Sequence, residues 1–265
     1  MQTEACNCMA EKKPTVMFRI IKAAVKFFYP KTQVLGLENL PAEPCIVVGN
    51  HTQLNGPIVS ELYFPGPKKI WTAGQMMAWK EVPAYAFQDF WSQKPRWTHW
   101  FFRVVSYLIT PLSVCVFNNA STIPVYHDMR LMTTFRATLE ALQAGENIII
   151  FPEHDVKYNH IVYEFQDKFI DVAKLYYKKT GKALQFVPMY VAPKLKQTVL
   201  GAPVTFDPAA DIKEERVRIA HALMDGVTEI ACKLPKHTVV PYRNIPKHLY
   251  PTNIPQEVSH ENARR

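Results

Sequence analysis

Apolar runs alternate with amphipathic stretches from residue 44 onward. The apolar runs predict buried strands at 45–48, 69–73, 122–126, 147–151 and 183–191. Apolar positions at helical spacing predict helices at 57–64, 75–93, 129–144, 165–181 and 211–230. Strands that alternate with helices in this way predict an α/β fold, a single domain with a mostly parallel mixed sheet flanked by helices.

The segment before this domain has an amphipathic pattern. Arg19, Lys22 and Lys26 share one helical face, and the positions around them from 17 to 28 are largely apolar or aromatic. Because the charges interrupt every apolar run, we expect neither a cleaved signal peptide nor a spanning helix here. The pattern fits a basic helix that lies in a membrane interface, or a surface helix packed on its own core.

A second apolar stretch occupies residues 97–117 and approaches the roughly 20 residues that a spanning helix needs. Arg103 lies inside this stretch, and Pro111 predicts a kink or a helix end. We therefore expect a buried or interfacial helix followed by a short strand at 114–117, and no transmembrane span.

Prolines recur after residue 234 and forbid long regular structure there, which predicts an extended tail partly wrapped on the domain. The predicted organisation has three parts. Residues 1–30 form a membrane-interface segment with a basic amphipathic helix, residues 31–234 form the α/β domain, and residues 235–265 form a Pro-rich tail.

Composition and charge limit the classes of molecule that this protein is expected to bind. The 265 residues include 31 Lys and Arg against 23 Asp and Glu, a net charge of +8, and 48% of the chain is hydrophobic. This content excludes a disordered or fibrous protein, and the charge fits nucleic acid, an anionic membrane, an acidic substrate or a solvated surface. Because the basic residues before the domain lie on an apolar helix and no nucleic-acid reader motif occurs, we expect membrane lipids and no nucleic acid as partners.

Metal ligation is one alternative use of the polar residues. His154, Asp155 and His160 are close in sequence, and with His51 they fit a metal-dependent hydrolase. They fit equally a substrate pocket beside a polar loop.

The cysteines are scattered and lack zinc spacing, so we expect reduced thiols and no metal. No nucleotide motif occurs, which predicts no organic cofactor. The cysteines are Cys6, Cys8, Cys45, Cys115 and Cys232.

Four segments carry the candidate chemistry. Asn50-His51 follows a buried strand and precedes a helix, which is where α/β folds place reactive groups. Ile123-Pro124-Val125-Tyr126-His127 forms a second block, and Phe151-Pro152-Glu153-His154 ends another buried strand. Val187-Pro188-Met189-Tyr190-Val191 is a strand interrupted by proline. In this order, the four blocks resemble those of the glycerolipid acyltransferase family, the lysophosphatidic-acid-acyltransferase-like enzymes, over roughly residues 30–205.

The resemblance implies acyl transfer from an acyl thioester, acyl-CoA or acyl-ACP as co-substrate, to the hydroxyl of a lysophospholipid or glycerol phosphate. His51 would be the general base, because an imidazole with a pKa near 6.5 suits proton removal near neutral pH. The protein would then act on the cytoplasmic side of a membrane as a peripheral protein. The implied catalytic residues are His51, Asn55, Glu153 and Asp155, and the implied substrate-binding residues are Asn50, Thr52, His127, Arg130, Phe151, Pro152 and His154.

The chain departs from the family pattern in its first block. Gly56 stands where the family has Asp, and Asn55 is the nearest substitute. An amide accepts a hydrogen bond from the imidazole but does not balance its positive charge, so we expect Glu153 or Asp155 to orient His51. The same departure fits an alternative function, a catalytically inactive lipid-binding protein on this fold.

The other departures concern the acceptor. His127 replaces the family's second-block Arg, with Arg130 nearby, and His154 replaces its third-block Gly. Arg binds phosphate through a permanently charged guanidinium, and His does not. The sequence therefore also fits an acceptor lysolipid whose head group is not a bare phosphate.

Overall fold

The computed structural model describes residues 14–126 and 128–254. The predicted substrate-binding residue His127, the thiols of Cys6 and Cys8, and the two ends of the chain lie outside the described residues. The helices are α1 Val16–Phe28, α2 Asn55–Tyr63, α3 Val82–Ala86, α4 His99–Phe117, α5 Leu131–Gln143, α6 Asp171–Thr180 and α7 Ile212–Lys233. The strands are β1 Gln33–Leu35, β2 Ile46–Gly49, β3 Lys68–Ala73, β4 Thr122–Val125, β5 Asn147–Ile150, β6 Glu153–Lys157, β7 Tyr163–Phe165, β8 Gln185–Ala192, β9 Gln197–Leu200 and β10 Val204–Thr205.

The main sheet is mixed and mostly parallel, which confirms the predicted fold class. Its centre runs β8-β2-β5-β3-β4 with every neighbouring pair parallel. At one edge β9 pairs antiparallel with β8 and parallel with β1, and β10 adds to β8. Strands β6 and β7 form a separate antiparallel hairpin.

Continuous apolar runs form the central strands because both faces of the sheet are covered. In β2, Ile46 and Val48 pack into the larger core cluster, whereas Val47 and the preceding Cys45 pack into the smaller cluster on the other face. A strand buried on both faces has no polar alternation, so its sequence is a short apolar run rather than a period-two pattern.

The predicted helix at 75–93 is wrong. The segment is divided into a 3-10 turn at Gly74–Met77, the short helix α3 and a π-helical turn at Phe87–Trp91. Pro83 lacks the backbone N–H that a continuous helix requires, and it lies in the first turn of α3 instead. The helix predicted from residue 165 begins only at Asp171, because Phe165 belongs to β7.

The predicted strand at 114–117 is also wrong, since α4 continues through Pro111 to Phe117. The half of α4 after the proline is held by side chains that bond to the 3-10 turn at Gly74–Met77. Ser113 donates to the carbonyl of Met76 at 2.8 Å, and Asn118 donates to that of Met77 at 2.9 Å. Tertiary contacts thereby outweigh the cost of one proline.

Residues 235–254, the described part of the tail after α7, are docked on the domain and mostly lack regular secondary structure. Val239 belongs to the larger core cluster, and Val240 is also buried. Asn253 is fully buried and accepts a hydrogen bond from the backbone N–H of His237, while its amide donates to the carbonyls of Ala231 and Leu234. Residues 235–254, which we call the C-terminal strap, are therefore part of the folded unit.

Candidate active site

The candidate site lies at the carboxyl ends of three neighbouring parallel strands, β8, β2 and β5. Asn50 leaves the end of β2 and its buried side chain bonds to β8, donating to the carbonyl of Val191 at 3.2 Å and accepting from its N–H at 2.7 Å. The amide therefore extends the ladder between β2 and β8 where the backbones part. Asn50, predicted to bind substrate, has its hydrogen-bonding groups engaged in the fold.

The turn after His51 has a strained backbone. Thr52 and Gln53 have φ values of 45° and 58°, and for a β-branched residue such as Thr52 this left-handed conformation is costly. The predicted substrate-binding residue Thr52 is buried, and its hydroxyl has no hydrogen-bond partner within the described part of the chain. The strained turn lies between His51 and the start of α2 at Asn55.

Glu153 binds the backbone of this turn rather than the imidazole. The side chain is 4% exposed, one carboxylate oxygen accepts from the N–H of His51 at 2.5 Å, and the other accepts from the N–H of Tyr163 at 2.9 Å. Burial raises its pKa from 4.5 to about 7, although both backbone hydrogen bonds favour the ionised form. Glu153 thus ties the β6–β7 hairpin to the His51 turn.

The His51 ring contacts two aromatic rings. Phe151 is 5.6 Å away and Tyr242 of the C-terminal strap is 5.9 Å away, measured between centroids, and both contacts are edge-to-face. Nδ1 of His51 is buried and has no hydrogen-bond partner in residues 14–126 and 128–254. Burial lowers the pKa of His51 below 6.5 and outweighs the opposing effect of the nearby Gln53 backbone, so the ring is neutral at pH 7.

Asn55, the nearest substitute for the missing first-block Asp, does not hydrogen-bond to the His51 imidazole. The amide of Asn55 donates to the carbonyl of Thr52 at 2.8 Å and its oxygen accepts from the hydroxyl of Tyr29 at 2.8 Å. A Cβ at Gly56 would lie 2.7 Å from the Phe151 ring and 2.9 Å from the carbonyl oxygen of His51. The site therefore has no room for a side chain at position 56 without rearrangement, and the expectation that Asn55 replaces the acid is wrong in its geometry.

The other predicted acid is also elsewhere. Asp155 is 71% exposed and pairs with Arg243 of the C-terminal strap at 3.4 Å. The expectation that Glu153 or Asp155 hydrogen-bonds to the His51 ring is therefore wrong, because Glu153 bonds to backbone N–H groups and Asp155 pairs with the strap. The pairing of β6 with β7 is irregular between Glu153 and Lys157, so two residues that regular alternation would place on one face have different surroundings.

Arg130 is not a free cation. Its guanidinium pairs with Asp128 at 2.8 Å and with Glu81 at 3.1 Å, and it lies 3.8 Å from the centroid of the Tyr126 ring. Two carboxylates beside one guanidinium leave no net positive charge for a phosphate. The sequence did not indicate these pairs, because Glu81 belongs to a distant segment.

Of the remaining predicted residues, Pro152 is buried beside the His51 turn, and its carbonyl accepts from the N–H of Gln166. His154 lies in a separate cavity of about 270 Å³, where Nε2 is 3.5 Å from Glu164 and His221 forms part of the wall. In the described ranges, no three His, Cys, Asp or Glu side chains are close enough to hold a metal ion. His160 instead bonds to the carbonyl of Asn253.

Three residues of the site were missed by sequence analysis, and all three are tyrosines. Tyr163 of β7 supplies an N–H to Glu153, and Tyr242 contacts both His51 and Tyr163. Tyr250 accepts a hydrogen bond from Gln53 at 2.9 Å. A single tyrosine in a loop carries no signal of its own, and only the docking of the strap brings two of them to the turn.

The site and fold define an α/β protein with a neutral histidine and a buried glutamate at the carboxyl ends of central parallel strands. No family profile and no curated protein matches the chain. Among solved structures, the chain is similar to the 1-acyl-sn-glycerophosphate (LPA) acyltransferase PlsC from Thermotoga maritima. The sequences are 18% identical, 83% of this chain and 81% of that chain are covered, and the TM-score is 0.46. None of these findings assigns the chain to a family.

The raised pKa of Glu153 predicts a stability that falls as pH rises. The folded state holds this proton more tightly than the unfolded state, so the stabilisation is complete below pH 4.5 and is lost as pH passes 7. We expect the free energy of unfolding to fall by about 3 kcal/mol more in the wild type than in Glu153→Gln between pH 4.5 and 8. Urea unfolding across this range measures the difference.

Glu215 provides the control for this prediction. It is buried like Glu153, but its ion pair with Arg218 lowers its pKa, so its stabilisation is present at neutral pH and lost as pH falls. The difference between the wild type and Glu215→Gln should slope in the opposite direction. Parallel curves for wild type and Glu153→Gln would contradict the assignment of the pH dependence to Glu153.

Proposed function

We propose that this protein is a membrane-associated acyltransferase that moves a fatty acyl group from acyl-CoA or acyl-ACP to the hydroxyl of a lysophospholipid or glycerol phosphate. The observation that carries the proposal is the neutral His51 imidazole beside buried Glu153 at the carboxyl ends of β2 and β5. The four blocks that resemble those of glycerolipid acyltransferases support it.

His51 is the general base in this proposal. The imidazole takes the proton of the acceptor hydroxyl as the hydroxyl oxygen attacks the thioester carbonyl. A new C–O bond forms, the C–S bond breaks, and the leaving thiolate takes the proton from the imidazolium. Because the pKa of His51 is lowered, the ring is in the base form at neutral pH and releases the proton readily.

Glu153 supports this reaction by position rather than by proton transfer. Its carboxylate holds the backbone N–H of His51 and that of Tyr163, which fixes the turn that carries the base. No carboxylate contacts Nδ1 of His51 in the described residues, so the imidazolium formed in the reaction lacks the partner that Asp supplies in catalytic triads.

The unpartnered Nδ1 favours one alternative, a catalytically inactive protein on the same fold that binds lipid.

The main proposal includes two acceptors, a lysophospholipid and glycerol phosphate. Because Arg130 is already paired with two acids, we favour a lysophospholipid over glycerol phosphate as the acceptor.

A membrane surface is supported by the reversed polarity of α4. Its inward face carries the small polar residues Ser106, Thr110 and Ser113, whereas large apolar and aromatic side chains face outward. Within the described residues, Arg96–Phe117 is long and apolar enough to cross a membrane, and only 17% of its most apolar 18-residue stretch is buried. The exposed side chains along it are Trp97, Trp100, Phe101, Val104, Tyr107, Leu108 and Leu112.

Helix α1 continues this surface. The backbone N–H of Thr15, its N-cap, donates to Asn119 just after α4 at 2.9 Å, so the two helices meet. The exposed apolar residues of α1 include Ile20, Phe27 and Phe28, and the exposed Arg19 and Lys26 lie among them. Lys22 differs from the predicted basic face, since it pairs with Glu61. Apolar side chains interleaved with cations fit an interface with anionic lipid, and we propose that the protein is peripheral there, on the cytoplasmic side.

Charges introduced on α4 should abolish binding to lipid. Trp100 and Leu108 are 69% and 71% exposed, and burial of such side chains in lipid contributes about 1.5–3 kcal/mol each. We expect Trp100→Glu/Leu108→Glu to lower partitioning into anionic vesicles at least about a hundredfold, measured by co-sedimentation. The matched control is Val217→Glu/Tyr177→Glu, on exposed positions of α7 and α6. Equal losses in both double variants would count against α4 as the membrane surface.

Acyl transfer itself tests the proposed function. Labelled acyl-CoA and acyl-ACP would be offered with vesicles that contain lysophosphatidic acid, a zwitterionic lysophospholipid or no lysolipid, and with glycerol 3-phosphate in solution. We expect labelled diacyl product with at least one acceptor. Folded protein that binds the vesicles but transfers no acyl group to any acceptor would favour the inactive lipid-binding function.

A further inference from the structure

The C-terminal strap crosses the turn that carries His51. Tyr242 lies edge-to-face with the His51 ring at 5.9 Å and also contacts the Tyr163 ring at 5.7 Å. After Tyr242 along the strap, two further side chains bond to the same region. Arg243 pairs with Asp155, and the Tyr250 hydroxyl accepts from Gln53, two residues after His51.

The strap is anchored before it reaches the site. Tyr190 of β8 is buried and its hydroxyl lies 2.8 Å from Nε2 of His237. Nδ1 of His237 lies 2.7 Å from the carbonyl of Pro235, which accepts only, so Nδ1 is the donor and Nε2 accepts from Tyr190. Together with the buried Asn253, this fixes both ends of the strap and determines where Tyr242 lies.

The imidazole of His51 needs an orienting group. In catalytic triads a carboxylate on Nδ1 holds the ring, whereas here Nδ1 has no hydrogen-bond partner within the described chain. The only side-chain rings in contact with His51 there are Phe151 and Tyr242, one from β5 and one from the strap. Edge-to-face pairs are directional, so two of them restrict rotation of the ring.

We propose that Tyr242 is a positioning residue for His51, and that docking of the C-terminal strap completes the site by closing an aromatic clamp of Phe151 and Tyr242 on the imidazole. The inference rests on the proposed function for its catalytic consequence. The clamp orients the ring by packing, as a carboxylate does by a hydrogen bond, but it does not balance the charge of the imidazolium.

The clamp also shields the His51 imidazole from water. The ionisable groups around the His51 turn and Tyr242 come from three segments. They are Glu153, Asp155 and Tyr163 of the β6–β7 hairpin, Arg243 of the strap, and Tyr85 and Asp89 of the segment at 82–91. Removal of the Tyr242 ring exposes the imidazole to water, and the pKa of His51 then rises toward 6.5.

The test uses the full chain with Tyr242→Ala, and Tyr242→Phe as the conservative variant. We expect Tyr242→Ala to lower kcat/KM for acyl transfer about tenfold and to move its acid limb to higher pH. The His51 ring resonances, followed by NMR across a pH titration, should report the same upward shift. Tyr242→Phe keeps the ring and should restore both quantities. Tyr158→Ala, which removes a tyrosine 5.9 Å from His221, is the matched control and should leave His51 unchanged.

These experiments distinguish failure of the proposed function from failure of the aromatic clamp. If the wild type transfers no acyl group, the proposed function fails, but the His51 titration still tests the clamp. If Tyr242→Ala leaves the His51 titration and ring resonances unchanged, the clamp is wrong even in an active enzyme. Should Tyr242→Ala not fold, Tyr250→Phe removes only the bond from Gln53 and should shift the His51 titration in the same direction by a smaller amount.

Discussion

Acyl transfer by His51→Ala is expected to be at least about a hundredfold slower than by the wild type, because general base catalysis contributes about a hundredfold to ten-thousandfold. The hydroxyl of the acceptor is a poor nucleophile until a base takes its proton, and His51 is the neutral imidazole at the carboxyl ends of β2 and β5. The loss should be in kcat, measured at saturating thioester and lysolipid on vesicles.

The control for this loss is another histidine. His221 lies by the separate cavity with His154, and His221→Ala should keep wild-type rates. Thermal unfolding should show that His51→Ala remains folded, since the imidazole makes no hydrogen bond through Nδ1. If His51→Ala retains more than about a tenth of the wild-type rate, another group takes the proton and the proposed mechanism is wrong.

The central strands could be predicted from sequence because burial on both faces gives an unbroken apolar run. β2, β5 and β8 each have such a run, and their parallel pairing brings Asn50-His51 and Glu153 to one edge of the sheet. Short or exposed strands gave no such pattern. The hairpin of β6 and β7 has a polar, irregular sequence, and its pairing is fixed by tertiary contacts such as those of Glu153.

The role of each side chain in the site was less predictable than its location. Sequence indicated that Glu153 would meet His51, but whether its carboxylate bonds to the ring or to the backbone depends on the strand geometry after Pro152. The same limit applies to Tyr242, which reaches His51 only because the strap is anchored elsewhere. Contacts made by irregular segments over long sequence separations have no local signal.

Helix α4 shows how an apolar pattern can leave its surroundings undetermined. The run at 97–117 predicted an element that is buried or interfacial, and its hydropathy is the same in either case. The observed orientation, with Ser106 and Thr110 inward, decides for exposure of the apolar face. Only the partners of the polar side chains, such as Ser113 with Met76, determine that orientation.

Asn253→Ala is expected to lower the free energy of unfolding by about 3–4 kcal/mol. The side chain is 0% exposed, accepts from the N–H of His237 at 2.8 Å and donates to the carbonyls of Ala231 and Leu234 at 2.9 and 3.0 Å. Each lost hydrogen bond costs about 1 kcal/mol, and the buried N–H of His237 is left without a partner. Urea unfolding of the full chain measures the loss.

Asn39→Ala is the matched control, because Asn39 makes a single bond, to the carbonyl of Leu200, at a half-buried position. Its loss should be about 1 kcal/mol. Since Asn253 anchors the C-terminal strap and the strap carries Tyr242, limited proteolysis of Asn253→Ala should cut within residues 235–254 before the rest of the domain unfolds. A variant as stable and as resistant to protease as Asn39→Ala would show that the strap is held without Asn253, by contacts such as the Tyr190–His237 bond and the Arg243–Asp155 pair.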